Sequence, residues 1–369
     1  MNKHPQISNL QAGSILVTTL IGIGVLPLPR AAVQAGENAA PLATLIAIAV
    51  AALFVTAWSL LGMRFPKQSL VTYGKTIMGK WLSGLFIVVI TAYFIVTTSI
   101  TFREFGEVTN TFVLRRTPLE IIIMMMLLLV AVTARKDIYS FSLIHSFYMP
   151  FVIFPVLFIV MLSLGNVEWL NLQPVLRTPD MKFWMGSLGI AALFRNALIY
   201  TYIIPRMENP RTAMRIGLIS TSISGGLYLL LVIASVGVFG PQEIKLLLWP
   251  TLELGRATII PGEFLERLDA TFLIVWVISV FNSLLSGYYF IVLTLKEQLG
   301  LKDHRMIATL LLPFLFLLSM LPQNLLQLYR ISSVMVPGGL LLLMGYPCIL
   351  LVVAYIRKKG GGRVETESV

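Results

Sequence analysis

Residues 19–30 read Thr-Leu-Ile-Gly-Ile-Gly-Val-Leu-Pro-Leu-Pro-Arg. They close an uncharged, mostly apolar run from 5 to 29, long enough to cross a bilayer core, which takes about 20 residues. Gly22, Gly24, Pro27 and Pro29 oppose a continuous helix there. A glycine inside a helix costs about 1 kcal/mol and a proline about 3 kcal/mol. Broken backbone at membrane depth is tolerated only where it faces protein or a water-filled cavity. The two half-helix ends then present free N–H and C=O groups to a ligand, as in folds that hold a substrate at the midplane between discontinuous helices. The stretch therefore predicts a transmembrane helix with a functional break, and Gly22, Ile23 and Gly24 as ligand contacts. The alternative is a proline kink without a site.

The rest of the chain fits a membrane setting. Its 369 residues are 57% hydrophobic and 12% charged, with a mean hydropathy of +0.85; soluble domains carry about 25% charged residues. This excludes an ordinary soluble enzyme, a disordered chain and, with Cys348 as the sole cysteine, a disulfide scaffold. Ten apolar spans are expected at about 7–29, 39–62, 81–102, 118–134, 146–166, 183–204, 213–239, 270–295, 306–322 and 331–356. Runs such as IIIMMMLLLVAV at 121–132 do not alternate, against a β-barrel. No Pro/Ser-rich linker divides the chain, so 1–369 reads as one transmembrane domain, with its first span retained.

Charge gives an orientation. With ten spans, one set of loops holds 17 Lys and Arg against 6 acids; the other holds 10 against 11. The cationic side is expected to be cytoplasmic, with both termini inside. This accounts for the net charge of +11 without nucleic acid. The tail RKKGGGR (357–363) reads as an anchor near anionic lipid. The segment 66–81, PKQSLVTYGKTIMGKW, reads as a basic amphipathic helix on the inner face.

A five-plus-five inverted repeat would make span six the counterpart of span one. Span six is apolar except for Arg195, within Phe194-Arg195-Asn196. A charge at membrane depth faces a cavity or a partner. Arg195 is expected to pair with a ligand carboxylate, with the freed carbonyls of a broken helix, or with an acid such as Glu104. In span three, Tyr93 and Thr97 are four residues apart and share a face. In span eight, Ser279, Asn282, Ser283 and Ser286 form one polar stripe. The stripe is either helix-to-helix adhesion or a cavity wall, where Asn282 and Ser283 would meet ligand and Ser283 and Ser286 would be the candidate sodium ligands. His4, His145 and His304 are scattered near span ends, so no other metal site is expected. No nucleotide loop, nucleophile triad or carboxylate pair points to an enzyme or a cofactor.

Several motifs together resemble the B subunit of bacterial spore germinant receptors, in the amino acid–polyamine–organocation superfamily. They are Gly22-x-Gly24-Val-Leu-x-Leu-Pro29-Arg30-Ala31, Phe65-Pro66, Gly79-Lys80-Trp81, Arg116-Thr117-Pro118 and Leu172-x-Pro174-Val175. The most distinctive is Trp249-Pro250-Thr251 with Pro261-Gly262-x-Phe264-x-Glu266-Arg267-x-Asp269 and Trp276. The resemblance implies an all-α integral membrane protein with ten transmembrane helices, a LeuT-like core with helices 1 and 6 broken. It also implies a place in the spore inner membrane or cell membrane, and A-type and lipoprotein C-type partner subunits. Many relatives carry a glycine and an acid within span six. Arg195-Asn196-Ala197 lacks the acid, which implies a differently charged pocket. The expected function is that of a receptor subunit that binds a small nutrient, an amino acid, and signals to its partners. The alternatives are a sodium- or proton-coupled secondary amino-acid transporter, and an assembly role without a ligand.

Overall fold

A computed structural model describes residues 6–174, 180–257 and 268–359. The segment 258–267, which holds most of the most distinctive motif, lies outside them, as do Val175, His4 and the tail from 360 on.

The first span is broken where its glycines predict. Helix α1 (Asn9–Leu20) starts on a capping box: Gln11 N–H donates to Ser8 Oγ at 3.3 Å, and Ser8 N–H to Gln11 Oε1 at 2.9 Å. It ends at Leu20. The chain crosses 21–27 with one 3₁₀ turn at Ile23–Val25 and resumes as α2 (Leu28–Gly36), with Pro29 in its first turn, where a missing N–H costs nothing.

Next come α3 (Ala40–Arg64), the short α4 (Leu70–Met78), α5 (Lys80–Phe112), α6 (Leu119–Thr133) and α7 (Ile138–Ser163). Span six starts as α8 (Met181–Ala191), tightens into 3₁₀ geometry over Ala192–Ile199 and ends in α9 (Tyr200–Ile203). Helix α10 (Ala213–Leu246) kinks at Gly240, whose φ of 70° suits glycine, just before Pro241. The kink falls where the span was expected to end. The chain closes with α11 (Pro250–Ala257), α12 (Leu268–Leu299), α13 (Arg305–Met320), α14 (Leu325–Leu340), a π turn at Leu341–Gly345 and α15 (Tyr346–Ile356).

Among the described residues there is no strand, only one isolated bridge, Ile7 with Met207. Among the described residues seven helices are long and apolar enough to cross a membrane, by length and composition: Leu28–Arg64, Lys80–Phe112, Ile138–Asn166, Met181–Arg206, Pro210–Leu246, Val275–Leu299 and Leu325–Ile356. Helices α6 and α13 are shorter apolar helices. With 12 residues, α1 is too short to span alone.

Apolar side chains cover the outside of the bundle as well as filling its core. Phe147, Phe154, Leu317 and Val334 point outward, where acyl chains would cover them. The centre is α1, buried from Ser14 to Leu20 and packed on α7, α10, α12 and the 3₁₀ segment of span six. Helix α10 packs on α3 and α2, and α8 packs on the same pair. The two broken spans therefore meet in the middle. The expected inner-face helix is α4, with its buried face formed by Leu70, Val71, Tyr73 and Ile77.

Candidate functional site

The two breaks touch directly. A Cβ on Gly24 would come 2.9 Å from Leu193 Cδ2 in the 3₁₀ segment of span six. A Cβ on Gly22 would overlap the Ser283 side chain of α12. The two glycines leave room for the Ser283 and Leu193 side chains against the broken backbone of span one. Ser283 is in turn held by span six: Asn196 Nδ2 donates to Ser283 Oγ at 3.0 Å. Gly22, Asn196 and Ser283 thus form one cluster, and Ile23 is buried beside it.

Arg195 points the other way. Its terminal nitrogen donates to Thr101 Oγ1 of α5 at 3.2 Å, and its Nε is buried without a partner. No carboxylate among the described residues pairs with it. Glu104, named from sequence as a partner, lies within electrostatic range but is hydrogen-bonded by the Tyr329 hydroxyl of α14 at 3.3 Å. Tyr329 also accepts from Trp249 Nε1 at 3.1 Å. Tyr93 lies within electrostatic range of the guanidinium as well. Its hydroxyl packs against Gly339, where a Cβ would overlap it. Thr97 donates to the Tyr93 carbonyl at 2.9 Å and faces its own helix. Phe194 is buried against the Tyr228 ring, with centroids 5.5 Å apart.

A cavity of about 10 Å³ lies beside Arg195, lined by Phe54, Trp58, Ala191, Phe194, Ala197, Leu198 and Leu343. That volume holds about one water molecule, so the cavity as it stands has no room for a larger ligand. A guanidinium with donors to spare, in a wall of aromatic and aliphatic side chains, suits a small ligand with a carboxylate: the fork recognises the anion and the apolar wall takes the rest.

The polar stripe of α12 divides. Asn282 is wholly buried, donates to the Ile278 carbonyl at 2.8 Å and leaves its Oδ1 unpartnered. Ser286 lies 2.5 Å from Thr19 Oγ1 and 3.3 Å from His145 Nε2. His145 Nδ1 is 2.6 Å from Thr18 Oγ1, which gives its own hydrogen to the Ser14 carbonyl at 2.7 Å. Nδ1 therefore carries the proton and donates. The hydroxyl oxygens proposed for sodium are thus engaged by Asn196, Thr19 and His145.

His145 corrects the sequence reading, which put it near a span end. Helix α7 starts at Ile138, and the ring is fully buried between α1 and α12. Two further groups have no site role in the sequence reading. The Tyr228 hydroxyl reaches the freed Leu20 carbonyl at 2.5 Å, and Thr251 Oγ1 reaches the freed Val25 carbonyl at 2.8 Å. Thr251 belongs to the Trp249-Pro250-Thr251 motif, which was the available signal. Among the described residues no group of three or more His, Cys, Asp or Glu could hold a metal ion.

The model of one protein family, described as "Spore germination protein", matches residues 6–327. The chain is 25% identical over 356 residues to spore germination protein YndE of Bacillus subtilis (strain 168), covering 96% of this chain and 98% of that one. It is 24% identical to spore germination protein B2 of the same organism, covering 96% and 97%. Among solved structures, a manganese transporter of Eremococcus coleocola superposes with a TM-score of 0.64 at 14% identity, over 94% of this chain and 78% of the transporter. That likeness is one of fold alone: a LeuT-like arrangement in which the first and sixth spans are discontinuous.

Proposed function

The chain belongs to the spore germination protein family and is a membrane subunit of a germinant receptor; we propose that it binds a small nutrient germinant, an amino acid, beside Arg195. The carrying observation is the Arg195 guanidinium, inside the bundle at the break of span six with one hydroxyl partner and a buried, unpartnered Nε. The ligand carboxylate takes the free edge of the fork. Phe194 already lines the cavity beside the guanidinium; Gly22, Ile23, Gly24, Asn196, Asn282 and Ser283 across the break, and Tyr93 and Thr97 on α5, would reach the ligand once the bundle rearranges around it. Closure around the ligand passes to partner subunits of the A type and the lipoprotein C type. Ten crossings, both termini in the cytoplasm and a place in the spore inner membrane complete the reading.

Arg195→Lys tests it. Lysine keeps the charge and loses the two-pronged geometry. The germinant concentration for half response should rise about tenfold to a hundredfold, the scale of one charge-assisted hydrogen bond of about 1.5–3 kcal/mol, with the protein level unchanged. Normal sensitivity in Arg195→Ala at normal abundance would sink the site. The transporter-like fold keeps a second reading in view, secondary amino-acid transport. Uptake of labelled amino acids into proteoliposomes separates it from sensing.

A further inference from the structure

Span ten does not run as one α-helix. Helix α14 ends at Leu340, Leu341–Gly345 form a π turn, and α15 begins at Tyr346. Pro347 supplies a reason. It has no N–H, and in a regular helix its ring would collide with the carbonyl of Leu343 four residues earlier. A widened turn with one extra residue relieves that collision. Pro337, Gly338, Gly339 and Gly345 surround it, so helical propensity holds this stretch weakly.

Two contacts tie the turn to the Arg195 site. Leu343 lines the cavity, and Gly339 lies against the Tyr93 hydroxyl. Beyond the turn, Tyr346 lies 3.3 Å from Ser83 Oγ and stacks on Phe86 at 5.2 Å. The far end is bound to the inner face. Arg64 donates to the carbonyls of Lys359 at 2.7 Å and Ala354 at 3.2 Å. Arg357 donates to the Ile77 carbonyl at 2.9 Å, and Lys359 Nζ to that of Thr76 at 2.5 Å. Thr76 and Ile77 belong to the last turn of α4. One helix therefore touches the cavity through its π turn and holds α4 through its end.

We infer that the Leu341–Gly345 turn is the switch of this receptor: a ligand entering beside Arg195 displaces Leu343, the π turn resolves into an α-helix kinked at Pro347, and α15 turns against α4. The inference rests on the reading of Arg195 as the ligand site. A cavity of about 10 Å³ admits no amino acid unless a wall moves. Phe54 and Trp58 stand on α3 and Ala191 on α8; Phe194, Ala197 and Leu198 stand on the 3₁₀ segment packed against α1. Leu343 alone among the lining residues stands on the π turn. Removing one residue's worth of extra winding rotates α15 by about 100° and shifts it by about 1.5 Å. That motion strips the Arg357 and Lys359 caps from α4 and changes the inner face.

The sole cysteine, Cys348, is exposed in the first turn of α15 and accepts a spin label as it stands. A second label at Thr76→Cys on α4 gives a distance in the full-length protein in nanodiscs. Pro347→Ala restores the N–H and removes the collision. It should add a second distance population, several ångströms away, without ligand. An equimolar mixture of the common amino acids should raise the same population in the chain with Pro347 intact. One unchanged distance under all conditions overturns the switch. A second population in Pro347→Ala with no response to the mixture supports the switch and overturns the Arg195 reading. Should Pro347→Ala reduce yield, Leu343→Ala removes only the displaced side chain and should cut the response to the mixture several-fold. A response of full size there also overturns the switch.

Discussion

The Tyr228 hydroxyl donates a 2.5 Å hydrogen bond to the carbonyl of Leu20, the last residue of α1. A helix that stops inside a bundle leaves carbonyls with no intrahelical donor, and a buried, unpaired carbonyl costs free energy. Tyr228 satisfies one such carbonyl from α10 while its ring packs on Phe194 at the other break. One side chain thus supports both discontinuities.

Tyr228→Phe keeps the ring packing and removes the donor. The Leu20 carbonyl is then left buried and unpaired, at a cost of about 1–3 kcal/mol. Thermal unfolding of the purified protein should show a lower midpoint at unchanged expression. An unchanged midpoint would mean that the carbonyl finds another donor.

The break in span one was legible because its cause is local: Gly22, Gly24, Pro27 and Pro29 oppose a helix wherever they stand. The position of Arg195 was legible for a similar reason, since one charge in an apolar span must face inward. What Arg195 touches was not. Thr101 lies 94 positions away in sequence and was passed over for Thr97, one turn earlier on the same helix. His145 was misplaced because the uncharged run 138–167 is longer than the about 20 residues a crossing needs, and the expected span kept only its second part. Asp137 caps α7 and carries the helix eight residues beyond the expected boundary at 146. The π turn of span ten left only Pro347 as its trace.

Gly22 and Ser283 should be coupled. Gly22→Val adds bulk where the Ser283 side chain stands, and overpacking a filled core costs about 1–3 kcal/mol. The variant should abolish the germinant response. Ser283→Gly in the same chain frees that space and should restore part of the folding stability. Additive effects of the two substitutions, measured by thermal unfolding, would show that the side chains do not compete for one space.

The orientation is open to direct labelling. Gln242 is exposed just past the kink of α10, on the side assigned to the exterior. In a Cys348→Ser background, Gln242→Cys should react with a membrane-impermeant maleimide added to intact cells, and Thr76→Cys on α4 should react only after lysis. The reverse pattern would invert the topology.

Acid should weaken the start of α7. The Ser140 hydroxyl, 2.6 Å from Asp137, holds that carboxyl below its ordinary value. A carboxyl lowered in the fold contributes stability above its unfolded-state pKa of about 3.9 and loses it as pH falls through the folded value. The contribution is complete above about pH 5 and fades below about pH 4. Asp137→Asn keeps a good cap and should flatten that part of the stability profile. Asp137→Ala should cost about 1 kcal/mol at neutral pH.

His145 offers the sharpest test of how the centre is held. Its ring lies fully buried between α1 and α12, with Nδ1 donating to Thr18 and Nε2 accepting from Ser286. The partners are not equally dependent on it. Thr18 keeps its bond to the Ser14 carbonyl without the ring, and Ser286 keeps Thr19. Thr18 is left with no orphan donor, but Ser286 loses the acceptor of its hydrogen, so the loss of the two hydrogen bonds is worth about 1–3 kcal/mol in all. The volume matters more, because the ring packs 4.3 Å from Phe141 and fills the space between three helices. His145→Phe, similar in shape, should therefore cost about 1–3 kcal/mol. His145→Ala adds a cavity and should cost about 3–5 kcal/mol. Unfolding midpoints of the two variants in parallel decide the matter. Equal losses would mean that the hydrogen bonds, not the packing, join α1 to α7 and α12 beside the break.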